Sequence, residues 1–276
     1  MTEEQRRYGG TFDQVADDYA RERPTYPDEI VDAACAGARH VLEVGCGTGQ
    51  LTAALVARGL SVHAIDPAPN MLRLAARLEN ATFEQARFED FEPATSYDAV
   101  LSASAFHWVD PTVSWDRAAA ALKPGGKLGL IQYVGVATPE TAEYDAALLA
   151  ALERVAPEIA ATWPRPRNVA ALRAGVHERR DNISAVWAWL TSKPLAVPET
   201  AFGEVSLTLV PVIREHTADE LEALLRTTAF RFQLGEERAT ALMAENRRVI
   251  DGLGGTARWA AAAVLVTAVR PTRALD

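Results

Sequence analysis

His40-Val41-Leu42-Glu43-Val44-Gly45-Cys46-Gly47-Thr48-Gly49 joins a short apolar run to three glycines at two-residue spacing. The first five residues read as a buried strand. Leu51, Leu55 and Val56 then recur at helical spacing up to Gly59, a plausible helix stop. The glycines therefore occupy a strand-to-helix turn, where they let the chain bend sharply and let a ligand lie against the main chain without intervening Cβ atoms. The helix N-terminus that follows offers unpaired N–H groups to a carboxylate or hydroxyl. A dinucleotide site would read G-x-G-x-x-G. Position 50, where its third glycine would fall, is Gln50, which disfavours a nicotinamide oxidoreductase.

Working outward, Ser61-Val62-His63-Ala64-Ile65 is a second strand closed by Asp66-Pro67, and a helix runs from about Asn70 with Leu74 and Leu78 on one stripe. Thr82-Phe83-Glu84 is a third strand and Tyr97 to Ser102 a fourth. The stretch Val113 to Leu122 is amphipathic, and Lys127 to Ile131 is a fifth strand after the turn Lys123-Pro124-Gly125-Gly126. Strands alternating with helices predict an α/β, doubly wound, Rossmann-like fold. Asp66, at the carboxyl end of the second strand, can accept both hydroxyls of a ribose or cap the next helix. After Tyr133 the rhythm changes. Residues 136–200 are helical in composition, interrupted at Pro139, Pro157, Pro164, Pro166 and Pro194, and carry Trp163, Trp187 and Trp189. Val205 to Val210 alternates like a strand, helices follow over Thr217 to Arg226 and Glu236 to Ile250, and a last strand runs from about Arg258 to Val269. The expected division is 1–38 as an N-terminal helical segment, 39–135 as the core, 136–200 as a mainly helical cap, and 201–276 as completion of the sheet with a helical insertion at 214–256.

The 276 residues are 49% hydrophobic and 24% charged, enough for a large buried core. Lys+Arg of 28 against Asp+Glu of 37 leave a net charge of −9, and only Lys123, Lys127 and Lys193 are lysines. That balance argues against nucleic acid and anionic membrane as partners. Cys35 and Cys46 are too few for a disulfide scaffold or a four-thiolate zinc site, which suits a reducing cytoplasm and predicts no metal. The opening MTEEQRRYGG lacks an apolar signal core. No uncharged apolar run approaches the ~20 residues of a membrane span. A small-molecule partner is the expectation, with monomer and homodimer equally open.

VLEVGCGTG at 41–49, HAID at 63–66, Asn70-Met71-Leu72, YDAVLSASAFHW at 97–108 and LKPGG at 122–126 together resemble the class I S-adenosylmethionine-dependent methyltransferases. The segment Phe12 to Pro27 and the run Ser104-Ala105-Phe106-His107-Trp108 are similar to the branch containing trans-aconitate methyltransferases. The resemblance implies a seven-stranded sheet whose last strand is antiparallel, S-adenosyl-L-methionine as methyl donor, and S-adenosylhomocysteine as product. It implies cofactor contacts from Glu43, Cys46 and Ser102, with Gly45, Gly47 and Gly49 bordering the methionine part. Asp66 would take the ribose, and Met71, Phe88 and Glu89 would flank the adenine. Where many relatives carry Asp for the adenine amino group, this chain has Arg87. The N-terminal segment is expected to close over the cofactor.

On the acceptor side, topology places His107 near the transferable methyl group. A phenol or amine acceptor could pass its proton to His107, Tyr19 or Tyr26, whereas a carboxylate would arrive ionised. Arg23, Arg165, Arg167 and Arg214 are candidate cations for an anionic acceptor, and Trp163, Trp187 and Trp189 could wall a pocket, although Trp187 and Trp189, two apart on a helix, cannot share a face. The expected activity is methyl transfer to a small molecule at a carboxylate or hydroxyl oxygen. The alternative is a protein that binds S-adenosylmethionine without methylating, as a sensor or as an enzyme using the sulfonium for cyclisation or elimination.

Overall fold

The computed structural model describes residues 10–192 and 200–272. Most of the sequence MTEEQRRYGG, together with Lys193 and Pro194, lies outside the described residues. In chain order, a 3-10 turn at Phe12–Val15 leads into α1 (Ala16–Glu22) and α2 (Asp28–Cys35), then β1 (His40–Val44), α3 (Gln50–Val56), β2 (Ser61–Asp66), α4 (Pro69–Ala75), β3 (Ala81–Gln85) and β4 (Tyr97–Ala103). A second 3-10 turn, Phe106–Trp108, precedes α5 (Ser114–Ala121) and β5 (Leu122–Gly135). The cap helices are α6 (Ala142–Val155), α7 (Pro157–Thr162), α8 (Val169–His177) and α9 (Ile183–Thr191). They are followed by β6 (Ser206–Thr217), α10 (Ala218–Arg226), α11 (Ala229–Leu234), α12 (Glu236–Gly252) and β7 (Thr256–Val269).

The strands form one seven-stranded sheet in the order β3-β2-β1-β4-β5-β7-β6. The first five are parallel neighbours, and β7 is antiparallel to both β5 and β6, as expected. The order reverses between β1 and β4, which opens a crevice at the carboxyl ends of those strands.

Two boundaries differ from the sequence reading. β5 begins at Leu122, because the expected turn is drawn into the sheet: the Gly125 N–H donates to the Arg270 carbonyl at 2.9 Å and the Arg270 N–H to that of Gly126 at 2.8 Å. β6 continues through Thr217, paired with β7 along its whole length, so the helical insertion starts at Ala218 and not at 214.

Both faces of the sheet are covered. Ile30 and Val31 of α2 and Leu51 and Leu55 of α3 pack with Val41, Ala64, Leu101 and Ile131 on one side. On the other, Leu42, Val44, Val100 and Leu128 meet Trp115 of α5, Leu172 of α8 and Trp187 of α9. Burial on both faces explains why β1 and β4 read as continuous apolar runs. Helix starts are chemically marked. Asn168 and Asn182 accept the N–H groups of Ala171 and Ala185, each at 2.8 Å, and Thr217 with Glu220 forms a capping box at α10. A second layer holds its own apolar cluster, with Ala151 and Leu152 of α6 against Leu234 and Leu242. Among the described residues no helix is long and apolar enough to cross a membrane, and both cysteines are free thiols.

Candidate active site

A cavity of about 470 Å³ lies at the carboxyl ends of β1, β2 and β4. Its floor is the glycine turn, stitched to β2 by the Gly45 and Cys46 N–H groups, which donate to the Ile65 carbonyl at 2.9 and 3.1 Å. Gly45 and Gly47 adopt φ of 71° and 56°, the left-handed region that side chains avoid. A Cβ at Gly45 would collide with Ala105. The backbone there is thus bare toward the cavity for steric reasons on both sides of the turn.

Two buried carboxyls stand beside it. Asp66 is 8% exposed and accepts the N–H groups of Gly47 and Ala68, each at 2.9 Å. Burial raises its pKa, and those two bonds oppose the rise. Each Asp66 oxygen retains capacity for one further donor. Glu43, 1% exposed, accepts the Thr52 hydroxyl at 2.6 Å, and burial pushes its pKa up to about 8. The Cys46 thiol is also pushed up by burial, so it stays a thiol.

The opposite end is closed by Met71, Arg87, Phe88 and Glu89. Arg87 donates to Glu89 at 3.2 Å, and Glu89 also accepts the Asp110 N–H at 3.0 Å. The departure at Arg87 is thereby neutralised by its own neighbour. Phe12, Asp13, Tyr19 and Tyr26 form the roof. It is pinned at three places: Asp13 accepts the Asn70 N–H at 2.7 Å, the Tyr133 hydroxyl donates to the Thr25 carbonyl at 2.6 Å, and Arg23 donates to the Thr227 hydroxyl at 3.0 Å and carbonyl at 2.7 Å. The Tyr26 ring stacks on Tyr133, 5.7 Å between centroids. Its hydroxyl is hydrogen-bonded with Ser104, and burial raises its pKa well above the ordinary tyrosine value.

Of the residues expected to touch a cofactor, Glu43, Gly45, Cys46, Gly47, Asp66, Met71, Phe88 and Glu89 line this cavity, while Gly49 and Ser102 do not. Gly49 instead starts α3 at φ 91°, packed so that a Cβ would lie 2.7 Å from Leu78. Ser102 is fully buried and donates to the Val44 carbonyl at 2.7 Å, tying β4 to β1. Tyr19 and Tyr26 line the cavity, but His107 does not. Consecutive side chains of a 3-10 turn diverge by about 120°. Phe106 therefore enters the core, Trp108 faces the cavity, and His107 turns toward Trp115 and Trp187 under the cap. None of Trp163, Trp187 and Trp189 lines the cavity; Trp163 packs on Phe230 and Trp189 beneath Arg167 and Arg179. Sequence reasoning missed Ser104 as a site residue. It holds φ 55° without being glycine, a strained conformation that clusters at functional sites and leaves no mark in the sequence.

The cavity's chemistry fits a nucleoside sulfonium: bare main chain at one end, a carboxylate with free lone pairs at the strand edge, apolar side chains beyond it, and acidic groups to balance positive charge. Residues 41–126 match the family described as a methyltransferase domain. An uncharacterized methyltransferase of Mycobacterium tuberculosis is 44% identical over 138 residues, 48% of this chain and 55% of that protein. An uncharacterized methyltransferase-like protein of Schizosaccharomyces pombe is 28% identical over 247 residues, covering 85% of this chain and 84% of that one. The solved structure of a type II methyltransferase candidate from Anaeromyxobacter dehalogenans superposes with a TM-score of 0.58 at 21% identity, over 91% of this chain and 98% of that one, a likeness of fold. The chain spans about half the length of the curated relatives it matches first. Residues 41–126 thus carry a methyltransferase domain, and the sheet order is the one that the resemblance to the class I S-adenosylmethionine-dependent methyltransferases implies.

Proposed function

We propose that this protein transfers a methyl group from S-adenosylmethionine to an oxygen of a small-molecule acceptor, a carboxylate or a hydroxyl. The single observation that carries the reading is the cradle of Gly45, Gly47 and Asp66 at the switch point of the sheet. Gly45 and Gly47 leave room for the methionine part, Asp66 accepts the ribose hydroxyls, and Met71, Phe88 and Glu89 border the adenine. When bound, the cofactor supplies an electrophilic methyl on a positively charged sulfur.

The chain's own contribution is alignment and exclusion of water. Holding two reactants in line lowers such a barrier by roughly 7–11 kcal/mol. Tyr19, Tyr26 and Trp108 shape the acceptor end, and the pinned roof keeps solvent out. Tyr26 is held neutral by its burial and acts as a hydrogen-bond donor to the incoming oxygen. With His107 turned away, proton removal is best avoided by an oxygen that arrives ionised, which supports transfer to oxygen. Phe12, Asp13, Tyr19 and Tyr26 of the N-terminal segment close the site. The free thiols are in keeping with a cytoplasmic place of action.

Isothermal titration with S-adenosylmethionine and S-adenosylhomocysteine tests the cofactor assignment; no binding of either at high micromolar concentration refutes it. Accumulation of S-adenosylhomocysteine with a panel of acids and phenols tests the transfer, and separates it from binding without methylation.

A further inference from the structure

Arg214 lies outside the lining of this cavity, on β6, and the strand register sets its direction. Tyr133 of β5 pairs with Ala263, which pairs with Val210 of β6; the two-residue alternation of a strand puts Val212 and Arg214 on the same face as Tyr133. β6 runs in the direction of β5, whose pairing stops at Gly135 opposite Ala261. Arg214 opposes Trp259, beyond that point, and so projects past the carboxyl edge where the cavity opens. The Arg214 charge acts on the Tyr133 hydroxyl, Tyr133 stacks on Tyr26, and Tyr26 is a wall of the cavity. Arg23 approaches the same edge from the roof, its guanidinium 4.9 Å from the centre of the Tyr19 ring.

These two arginines differ from most others. Arg58 pairs with Asp28 and Asp32, and Arg247 with Asp219 and Glu222. Arg23 is half-buried with no carboxylate partner among the described residues, and Arg214, also half-buried, makes neither a hydrogen bond nor an ion pair with any of them. Neighbouring acids are occupied: Glu215 accepts the Thr256 hydroxyl at 2.9 Å and faces Arg258, and Glu220 is held in the capping box. A half-buried guanidinium with no carboxylate partner is poised to recover lost hydration from an oxyanion, and Arg23, bonded to Thr227 by two of its nitrogens, keeps further donors for one. Charge is also divided: Asp13, Asp66 and Glu89 line the cavity, with Arg87 paired to Glu89, and Arg23 and Arg214 lie outside that lining.

We infer that Arg214 and Arg23 form an oxyanion site at the cavity rim that holds an anionic group of the acceptor and selects acceptors by charge. The inference rests on the methyltransferase reading for the word acceptor, while the anion site itself does not. It is tested on the full chain, with and without saturating S-adenosylhomocysteine, by titration with malonate, inorganic phosphate and the neutral malonamide. Malonate or phosphate binds the wild type and malonamide does not; which anion binds more tightly tells a carboxylate from a phosphate group. In Arg214→Ala the anion affinity falls at least about tenfold, and Arg214→Lys recovers part of it, because a point charge replaces a fork of donors. Absence of anion binding to the wild type, equal binding of malonamide, or undiminished binding in Arg214→Ala overturns the site. If S-adenosylhomocysteine fails to bind, the methyltransferase reading falls, and the cofactor-free titration still decides the rim.

Discussion

Glu43 is a carboxyl in an environment that disfavours its charge. Its carboxyl accepts the Thr52 hydroxyl, and burial raises its pKa from the ordinary 4.5 to about 8. The folded state therefore favours the protonated acid. The stability this contributes is complete below the unfolded value near 4.5 and is lost as pH rises through about 8. Thermal unfolding of the wild type should show a midpoint that falls between those limits, and Glu43→Gln, which keeps an acceptor for Thr52, should flatten that slope. A parallel slope in both proteins would show that Glu43 is not the titrating group. Asp66 has the other task at this scale. Asp66→Ala removes hydrogen bonds to a charged carboxylate, about 1.5–3 kcal/mol, so S-adenosylmethionine affinity measured by titration calorimetry should fall by about tenfold or more. Unchanged affinity would leave the ribose without its assigned partner. Neither environment is visible in a sequence: Glu43 announces itself by its place before the glycines, but Thr52, nine residues on, does not.

The elements are held by local chemistry that the sequence displays and by contacts that it hides. The capping box at α10 belongs to the first kind. Thr217→Ala should cost about 1 kcal/mol, read as a lowered denaturation midpoint, and Thr217→Ser should recover most of it. The cap belongs to the second kind. Gly175 lies in mid-helix, where glycine is normally a weakness, yet a Cβ there would collide with the Trp189 indole, which is clasped by Arg167 at 4.2 Å and Arg179 at 5.1 Å. Gly175→Ala should accordingly destabilise the protein by about 1–3 kcal/mol, measured by urea denaturation, although helix propensity alone predicts a gain. Two-residue spacing sets Trp187 and Trp189 on different faces of α9, but the packing of Trp189 against Gly175 of α8 emerges only from the fold.

For the whole molecule, ligand binding and stability are one equilibrium. A ligand that engages only the folded state adds about 2.7 kcal/mol at a hundredfold excess over its dissociation constant, which for a chain of this size raises the melting midpoint by several degrees. S-adenosylhomocysteine should do so for the wild type and much less for Asp66→Ala, and scanning fluorimetry reads both. By itself the sequence determined the doubly wound sheet and the place of the glycine cradle. Strand period, apolar runs and glycine spacing are local properties that act over a few residues, and β1, the turn and Asp66 all lie within 27 positions, from His40 to Asp66. Tertiary structure alone decided the acceptor side. His107 and Trp108 are neighbours in the chain, with rings 5.1 Å apart, yet only Trp108 lines the cavity. Tyr26, Tyr133 and Arg214 come from three distant segments brought to one face of the sheet only by the pairing of β7 with both β5 and β6. The direction of a side chain at the end of a strand, and its company there, depend on the register and packing of remote elements, which no local pattern encodes.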